Sequence, residues 1–215
     1  MNVLVVGANG QIGTHLVKQL KAHDGHSVKA MVRKKEQAEA WEQEGVHAVV
    51  ADLESDVGDL KEVMEGSDAV VFTAGSGGAT GADKTLLIDL DGAVKTMEAA
   101  EAAGIERYVM VSAIQAHNRA NWNEQIRHYF AAKHYADRML ELSSLNYTIV
   151  RPGGLLNDPG KGTVSAATDL ERGSIPREDV AATIVAALDH PNAYRKGFDL
   201  VSGNDAPKAA LDGLT

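Results

Sequence analysis

Two apolar patterns alternate along the chain. Short apolar runs recur at Asn2–Val6 (NVLVV, unbroken by charge), Ser27–Val32 (SVKAMV), His47–Ala51, Ala69–Thr73 (AVVFT), Tyr108–Val111, Tyr147–Val150 and Phe198–Val201. Such runs suit strands buried on both faces. Between them lie segments of helical period. One begins with His15, Leu16, Val17 and Leu20; a charged one runs to about Glu44; others span Asp56–Met64 and about Lys84–Ala103. The last of these carries Leu87, Leu90, Val94 and Met97 on one stripe. A polar stretch, Gln115–Asn123, leads into a helix reaching about Leu142, and a final helix covers Arg177–Leu188. Strands alternating with helices need crossover connections, so the pattern predicts an α/β fold: a doubly wound parallel sheet in three α/β/α layers, as a single domain over 1–215. No repeat, low-complexity tract or linker divides it. Ligands of such sheets bind beyond the carboxyl ends of the strands. That rule selects Gly7–Gly13, Arg33, Asp52, Ala74, Gly75, Ser112 and Arg151–Gly153 before any motif is considered.

The first strand breaks into GANGQIG, with glycines at 7, 10 and 13, and a helix follows at once. Glycines between a strand and a helix leave backbone N–H groups aimed at one spot, with the positive end of the helix dipole behind them. That spot suits a pyrophosphate held by Gly7, Asn9, Gly10, Gln11, Ile12 and Gly13. Gly7 permits the turn, Gly10 lets the phosphate approach, and Gly13 lets helix and strand pack closely. The spacing is G-x-x-G-x-x-G rather than G-x-G-x-x-G.

At the end of the second strand, where NAD-binding chains place a carboxylate, stand Arg33, Lys34 and Lys35. A guanidinium can pair with a 2′-phosphate, whereas a carboxylate repels it. The expected cofactor is therefore NADP(H) in preference to NAD(H). Alternatively, the cations only solvate a helix start, although positive charge is unfavourable there. Asp52, followed by Leu53, either accepts from the adenine amino group or serves as a turn or cap residue.

Tyr129 and Lys133 are four apart in a helical stretch, so they share a face. A lysine ammonium near a phenol favours the phenolate, and a lowered phenol pKa suits proton transfer to or from a carbonyl or alcohol oxygen. The same pair would also sit on a plain exposed helix face.

Composition narrows the partners. The 215 residues carry a net charge of -9 with no basic block, which argues against a nucleic-acid surface. With no cysteine, disulfides, thiolate metal sites and a cysteine nucleophile are excluded. His117, His128 and His134 lack an i, i+4 metal pair, and no metal is expected. No run is long enough for a bilayer, and Met1 leads straight into a core strand, leaving no room for a signal peptide. A soluble, cytoplasmic protein without membrane contact is expected. Trp122 and Tyr135 either line an apolar pocket or simply pack.

GANGQIG, the basic end of strand two, Asp52-Leu53, Tyr129 to Lys133 and the strand ending TIVRPGG together resemble the short-chain dehydrogenase/reductase superfamily, in its atypical branch. Members are often labelled NAD(P)-dependent epimerases or oxidoreductases. The resemblance implies a Rossmann fold binding NADP(H), with Tyr129 as acid/base and Lys133 as its partner, the lysine also reaching the nicotinamide ribose. It places the nicotinamide near Ser112, Tyr129 and the loop at Pro152 and Gly153. Related enzymes carry a serine or threonine just beyond strand five. Here that strand ends Val111-Ser112-Ala113-Ile114, so Ser112 falls slightly early, and Asn118, Tyr135 or a backbone N–H are the substitutes. Asp89 stands where extended members place asparagine.

The expected function is NADP(H)-dependent hydride transfer to a small carbonyl, quinone or similar acceptor. An NADP(H) sensor without chemistry and a nucleotide-sugar epimerase or dehydratase are the alternatives. Only a small substrate-side portion, about 153–215, follows strand six, less than sugar-nucleotide epimerases use. The long fourth and fifth helices offer a face for a homodimer.

Overall fold

A computed structural model describes residues 1–214. Its main sheet has eight strands in the order β3-β2-β1-β4-β5-β6-β10-β8. These are β1 (Asn2–Val6), β2 (Ser27–Val32), β3 (His47–Val50), β4 (Ala69–Phe72), β5 (Arg107–Val111), β6 (Asn146–Pro152), β8 (Val164–Ala167) and β10 (Lys196–Ser202). All neighbours are parallel except β10 and β8. A separate two-stranded piece pairs β7 (Gly154–Leu156) with β9 (Ser174–Pro176). The helices are α1 (Gln11–Lys21), α2 (Lys35–Gln43), α3 (Val57–Met64), α4 (Ala82–Lys84), α5 (Ala93–Ala102), α6 (Arg127–Leu142), α7 (Arg177–Ala187) and α8 (Pro207–Asp212). A π-helical segment, Thr85–Gly92, joins α4 to α5.

This is the doubly wound Rossmann architecture. The chain winds outward from β1 through β2 to β3, then crosses to β4 on the other side. The order reverses between β1 and β4, and a crevice opens there at the carboxyl ends. Alternate residues of each strand serve opposite layers. Val3, Val5, Val109, Val150 and Phe198 pack beneath α1 and α7, with Leu16, Leu20 and Ile184. Leu4, Val6, Phe72, Met110 and Ile149 face α3, α5 and α6, with Leu60, Met97 and Leu140. Burial on both faces explains why these strands read as continuous apolar runs.

Two polar side chains of β5, Arg107 and Tyr108, are matched inside the fold. Arg107 donates to the carbonyls of Leu188 (2.8 Å), Ala187 (2.6 Å) and Asn146 (2.6 Å) and to Thr148 Oγ1 (2.7 Å). It thereby caps the carboxyl end of α7, where a cation is favourable. Burial still lowers its pKa to about 10. The Tyr108 hydroxyl pairs with Thr96 Oγ1 at 2.7 Å, and burial pushes that phenol up.

Several expectations need correction. The stretch 84–103 is not one regular helix. Its middle, Thr85–Gly92, is π-helical, and the buried face runs through Thr85, Asp89, Gly92 and Thr96, leaving Leu86 and Leu87 exposed. The stripe read from Leu87, Leu90, Val94 and Met97 is therefore displaced; of the four, only Met97 is fully in the core. Beyond Gly153, the chain forms β7, β8 and β9 as well as the expected helix and strand, and β8 makes the sheet edge antiparallel. No described helix is long and apolar enough to cross a membrane.

A Cβ added at Gly13 would lie 2.2 Å from the Gly7 carbonyl oxygen, which is backbone and has no rotamer to yield. Gly13→Ala is expected to destabilise the fold by about 1–3 kcal/mol despite alanine's better helix propensity, measured as a lower urea midpoint.

Candidate active site

The glycine turn is built by close approach. Gly7 has φ +83°, and a Cβ there would meet Ala74 Cα at 2.8 Å, so the turn lies directly against the end of β4. Gly10 N–H closes it on Gly7 O at 2.9 Å. Helix α1 then begins, its first bond running from Thr14 N–H to Gly10 O at 2.8 Å. Its amino end has no side-chain cap and no acidic residue in the first turn. The leading N–H groups thus face the crevice without a protein acceptor. Asn9, Gly10 and Gln11 are exposed around them, whereas the Ile12 side chain is core and only its backbone belongs to the turn. These residues fit a diphosphate: uncapped donors, a favourable dipole, and no Cβ where the ligand would approach.

Ala8 N–H donates to Met31 O at 3.2 Å, tying the turn to the end of β2. Arg33 and Lys34 follow immediately, both exposed. Lys35 pairs loosely with Glu39, at 3.7 Å. Asp52 accepts from Glu54 N–H at 3.0 Å, which makes it a turn residue in this structure. Leu53 is buried against Gly92, and its side chain belongs to the core. Ala74 and Gly75 continue from β4 along the crevice. A Cβ on Gly75 would meet Asp89 Oδ1 at 3.1 Å.

Helix α6 brings Tyr129 and Lys133 to the same crevice. Lys133 is buried, donates to Val111 O at 3.3 Å, and pairs with Asp89 Oδ1 at 3.2 Å. Its ammonium lies 5.8 Å from the centre of the Tyr129 ring. The other oxygen of Asp89 accepts from Ser76 N–H at 3.0 Å. One turn further along α6, Asp137 pairs with Arg151 Nε at 2.7 Å, again with both side chains buried. Electrostatics here overturn the expected lowering of the phenol pKa. Burial pushes Tyr129 up; Lys133 opposes this, and Asp89 and Asp137 reinforce it, leaving the phenol above its ordinary value. Burial alone would lower Lys133, but Tyr129, Asp89 and Asp137 together hold it raised. The pair therefore consists of a protonated phenol and a compensated ammonium.

Ser112 follows Tyr108 and Met110 onto the sheet face covered by α6. Its N–H donates to Val150 O at 2.7 Å, and its buried Oγ has no partner. The two side chains considered as substitutes for it have other roles. Asn118 caps a short 3₁₀ turn through Ala120 N–H, and Tyr135 is an exposed residue against Arg119. Trp122 donates from Nε1 to Ala116 O at 3.1 Å and stacks on Phe130, so it packs rather than lining an open pocket.

Pro152 ends β6, and Gly153 is held by Leu200 O at 2.9 Å. A Cβ on Gly153 would lie 2.4 Å from Gly173 O, so this glycine admits the 169–174 loop. That loop walls a cavity of about 440 Å³ lined by Gln115, Asn121, Asp169, Leu170, Glu171 and Arg172. Arg172 lies 5.3 Å over the Phe130 ring, which meets the Tyr129 ring edge-on at 5.8 Å. Phe130 thus stands between the Arg172 side of the cavity wall and the tyrosine.

Beneath it, Gln115 adopts φ +62° and binds the buried Asp199 from its backbone N–H (3.2 Å) and side-chain Nε2 (2.9 Å). The same Nε2 also donates to Asp169 and to Leu170 O. Burial raises the Asp199 pKa, opposed by N–H groups of Leu170 and Gln115. His117, Asp169 and Asp199 offer atoms within 4.8 Å of one another, a grouping that histidine spacing along the chain did not reveal. Asp137, Gln115, Asp169, Arg172 and Asp199 were all missed by sequence reasoning. Asp199 sits in an ordinary strand, FDLV, and Asp137 in a helix whose outer face is also charged; neither carries a local signal.

Comparison with known proteins follows the same lines. Residues 7–191 match a family model described as NAD(P)H-binding. A Bacillus subtilis protein named an uncharacterized sugar epimerase is 56% identical over 214 residues, covering all of both chains. A solved Bacillus halodurans structure, provisionally named an NAD-dependent epimerase/dehydratase, is 42% identical with TM-score 0.93 and full coverage of both chains. An oxidoreductase of Lactococcus lactis is 31% identical with TM-score 0.89, covering 100% of this chain and 96% of that one. With its glycine turn at the strand-order reversal and its tyrosine and lysine on α6, this chain belongs to the NAD(P)H-binding family.

Proposed function

We propose that the protein is an NADP(H)-dependent oxidoreductase acting on a small carbonyl, quinone or similar acceptor. The observation that carries this reading is the half-buried Tyr129 beside the buried Lys133 and Asp89. It stands at the carboxyl ends of β4 and β5, across the crevice from the uncapped glycine turn. The backbone at Gly7–Gly13 would hold the diphosphate. Arg33 and Lys34 would face the adenosine 2′-phosphate, and Asp52 and Leu53 would border the adenine. Ala74 and Gly75 would line the path to the nicotinamide, with Ser112, Pro152 and Gly153 beside the ring.

Bound NADPH supplies a hydride. Lys133 keeps one donor free for the ribose once Val111 O and Asp89 have taken the other two. For a carbonyl acceptor, hydride adds to carbon while the Tyr129 hydroxyl gives its proton to oxygen, yielding an alcohol and the oxidised nucleotide; solvent then reprotonates the phenolate. The pocket's contribution is to orient the acceptor and exclude water.

A second reading is supported by the name of the Bacillus subtilis relative and by the amide and carboxylate lining of the 440 Å³ cavity, which suits a hydroxylated substrate. Epimerisation consumes no net NADPH, so following its oxidation across carbonyls and quinones separates the two. Tight binding without turnover on any substrate would instead favour a sensor.

On the outer faces of the π segment and α6, Leu86, Tyr135, Met139 and Leu142 are exposed, which supports a homodimer. Sedimentation velocity is expected to give twice the chain mass, and Met139→Glu to give single chains. Arg33→Ala should weaken NADPH binding by about tenfold or more while NADH binding changes little, measured by calorimetry. Equal losses for both would remove Arg33 from the 2′-phosphate. Tyr129→Phe should lower carbonyl reduction about a hundredfold or more with NADPH affinity retained. Undiminished turnover would show that the phenol gives no proton.

A further inference from the structure

Asp89 is a buried carboxylate in the one π-helical segment among the described residues. Such segments cost regular hydrogen bonding and concentrate at functional sites. Here Asp89 faces inward and Leu86 and Leu87 outward. The carboxylate then joins three elements. Oδ1 reaches Lys133 on α6 at 3.2 Å; the other oxygen accepts from Ser76 N–H at 3.0 Å in the loop after β4; its own backbone belongs to the helix between them. Gly75 leaves room for this, because a Cβ there would press on Asp89 Oδ1 at 3.1 Å.

An uncompensated ammonium 5.8 Å from the Tyr129 ring would favour the phenolate. Asp89 removes that bias by cancelling the charge and by fixing the ammonium's direction. We propose that Asp89 is a positioning residue that, by neutralising and orienting Lys133, keeps Tyr129 in its acid form and sets the site to deliver a proton to an oxygen undergoing reduction. This rests on the oxidoreductase reading and gives it a direction. The charged groups acting on the phenol are Lys133 and Asp137 from its own helix and Asp89 from the π segment. Asp137 is itself balanced by Arg151 of β6 at 2.7 Å, so Asp89 is the group whose removal leaves a net positive charge. The raised phenol pKa agrees with this arrangement.

The test needs no substrate. Protein carrying ¹³C at the tyrosine phenol carbon is titrated by NMR, and Tyr129→Phe identifies the signal among the five tyrosines. In the native chain, Tyr129 should titrate above the ordinary value of about 10. Asp89→Asn should lower the midpoint by about one unit, giving about tenfold more phenolate at a given pH, and Asp89→Glu should restore it. Lys133→Met, which leaves Asp89 uncompensated, should raise it. An unchanged midpoint in folded Asp89→Asn overturns the proposal. Should that variant not fold, an unchanged midpoint in Lys133→Met does so instead. Turnover bears separately on the reaction: Tyr129→Phe with full activity would sink the catalytic reading yet leave the midpoint comparison intact.

Discussion

The structure depends on how closely its first turn packs. Gly13 seats α1 against the Gly7 carbonyl, and Gly7 in turn lies against Ala74 at the end of β4. A side chain at either position would push apart elements on the two sides of the strand-order reversal. Because they touch, the crevice has a backbone floor, and the amino end of α1 points into it without a cap or an acidic neighbour. A phosphate can replace the missing cap, so the packing constraint and the binding surface are one feature.

At the other end of the crevice the constraint is charge. Two ion pairs, Asp89–Lys133 and Asp137–Arg151, are buried between the sheet and α6. Burying ions is costly, and an apolar substitute often packs as well. Their arrangement makes sense as chemistry: they surround Tyr129 with balanced charge and leave the phenol protonated. A tyrosine and a lysine one turn apart do not by themselves describe an acid/base pair. The third and fourth charges decide its state.

The loop 169–174, Gln115 and Asn121 wall a polar cavity separated from Tyr129 by Phe130. Asp169–Arg172 of its wall come from the last third of the chain, and Gln115 and Asn121 from the segment after β5.

The order of strands and helices, the central parallel sheet and the glycine turn were all legible in the sequence, because each is written in neighbouring residues: an apolar run, a three-residue glycine spacing, a helical stripe. Tyr129 and Lys133 were legible for the same reason. The inward face of 84–103 was not, since its buried positions Thr85, Asp89, Gly92 and Thr96 are polar or small, and the leucines on the other side make the stronger local pattern. The antiparallel β8 and the β7–β9 pair depend on partners far along the chain, and Gln115 meets Asp199 across 84 residues. Local pattern determines which segments can be buried. Which charges meet once they are buried, and therefore which proton the site holds, is decided only when distant segments fold together and water is excluded.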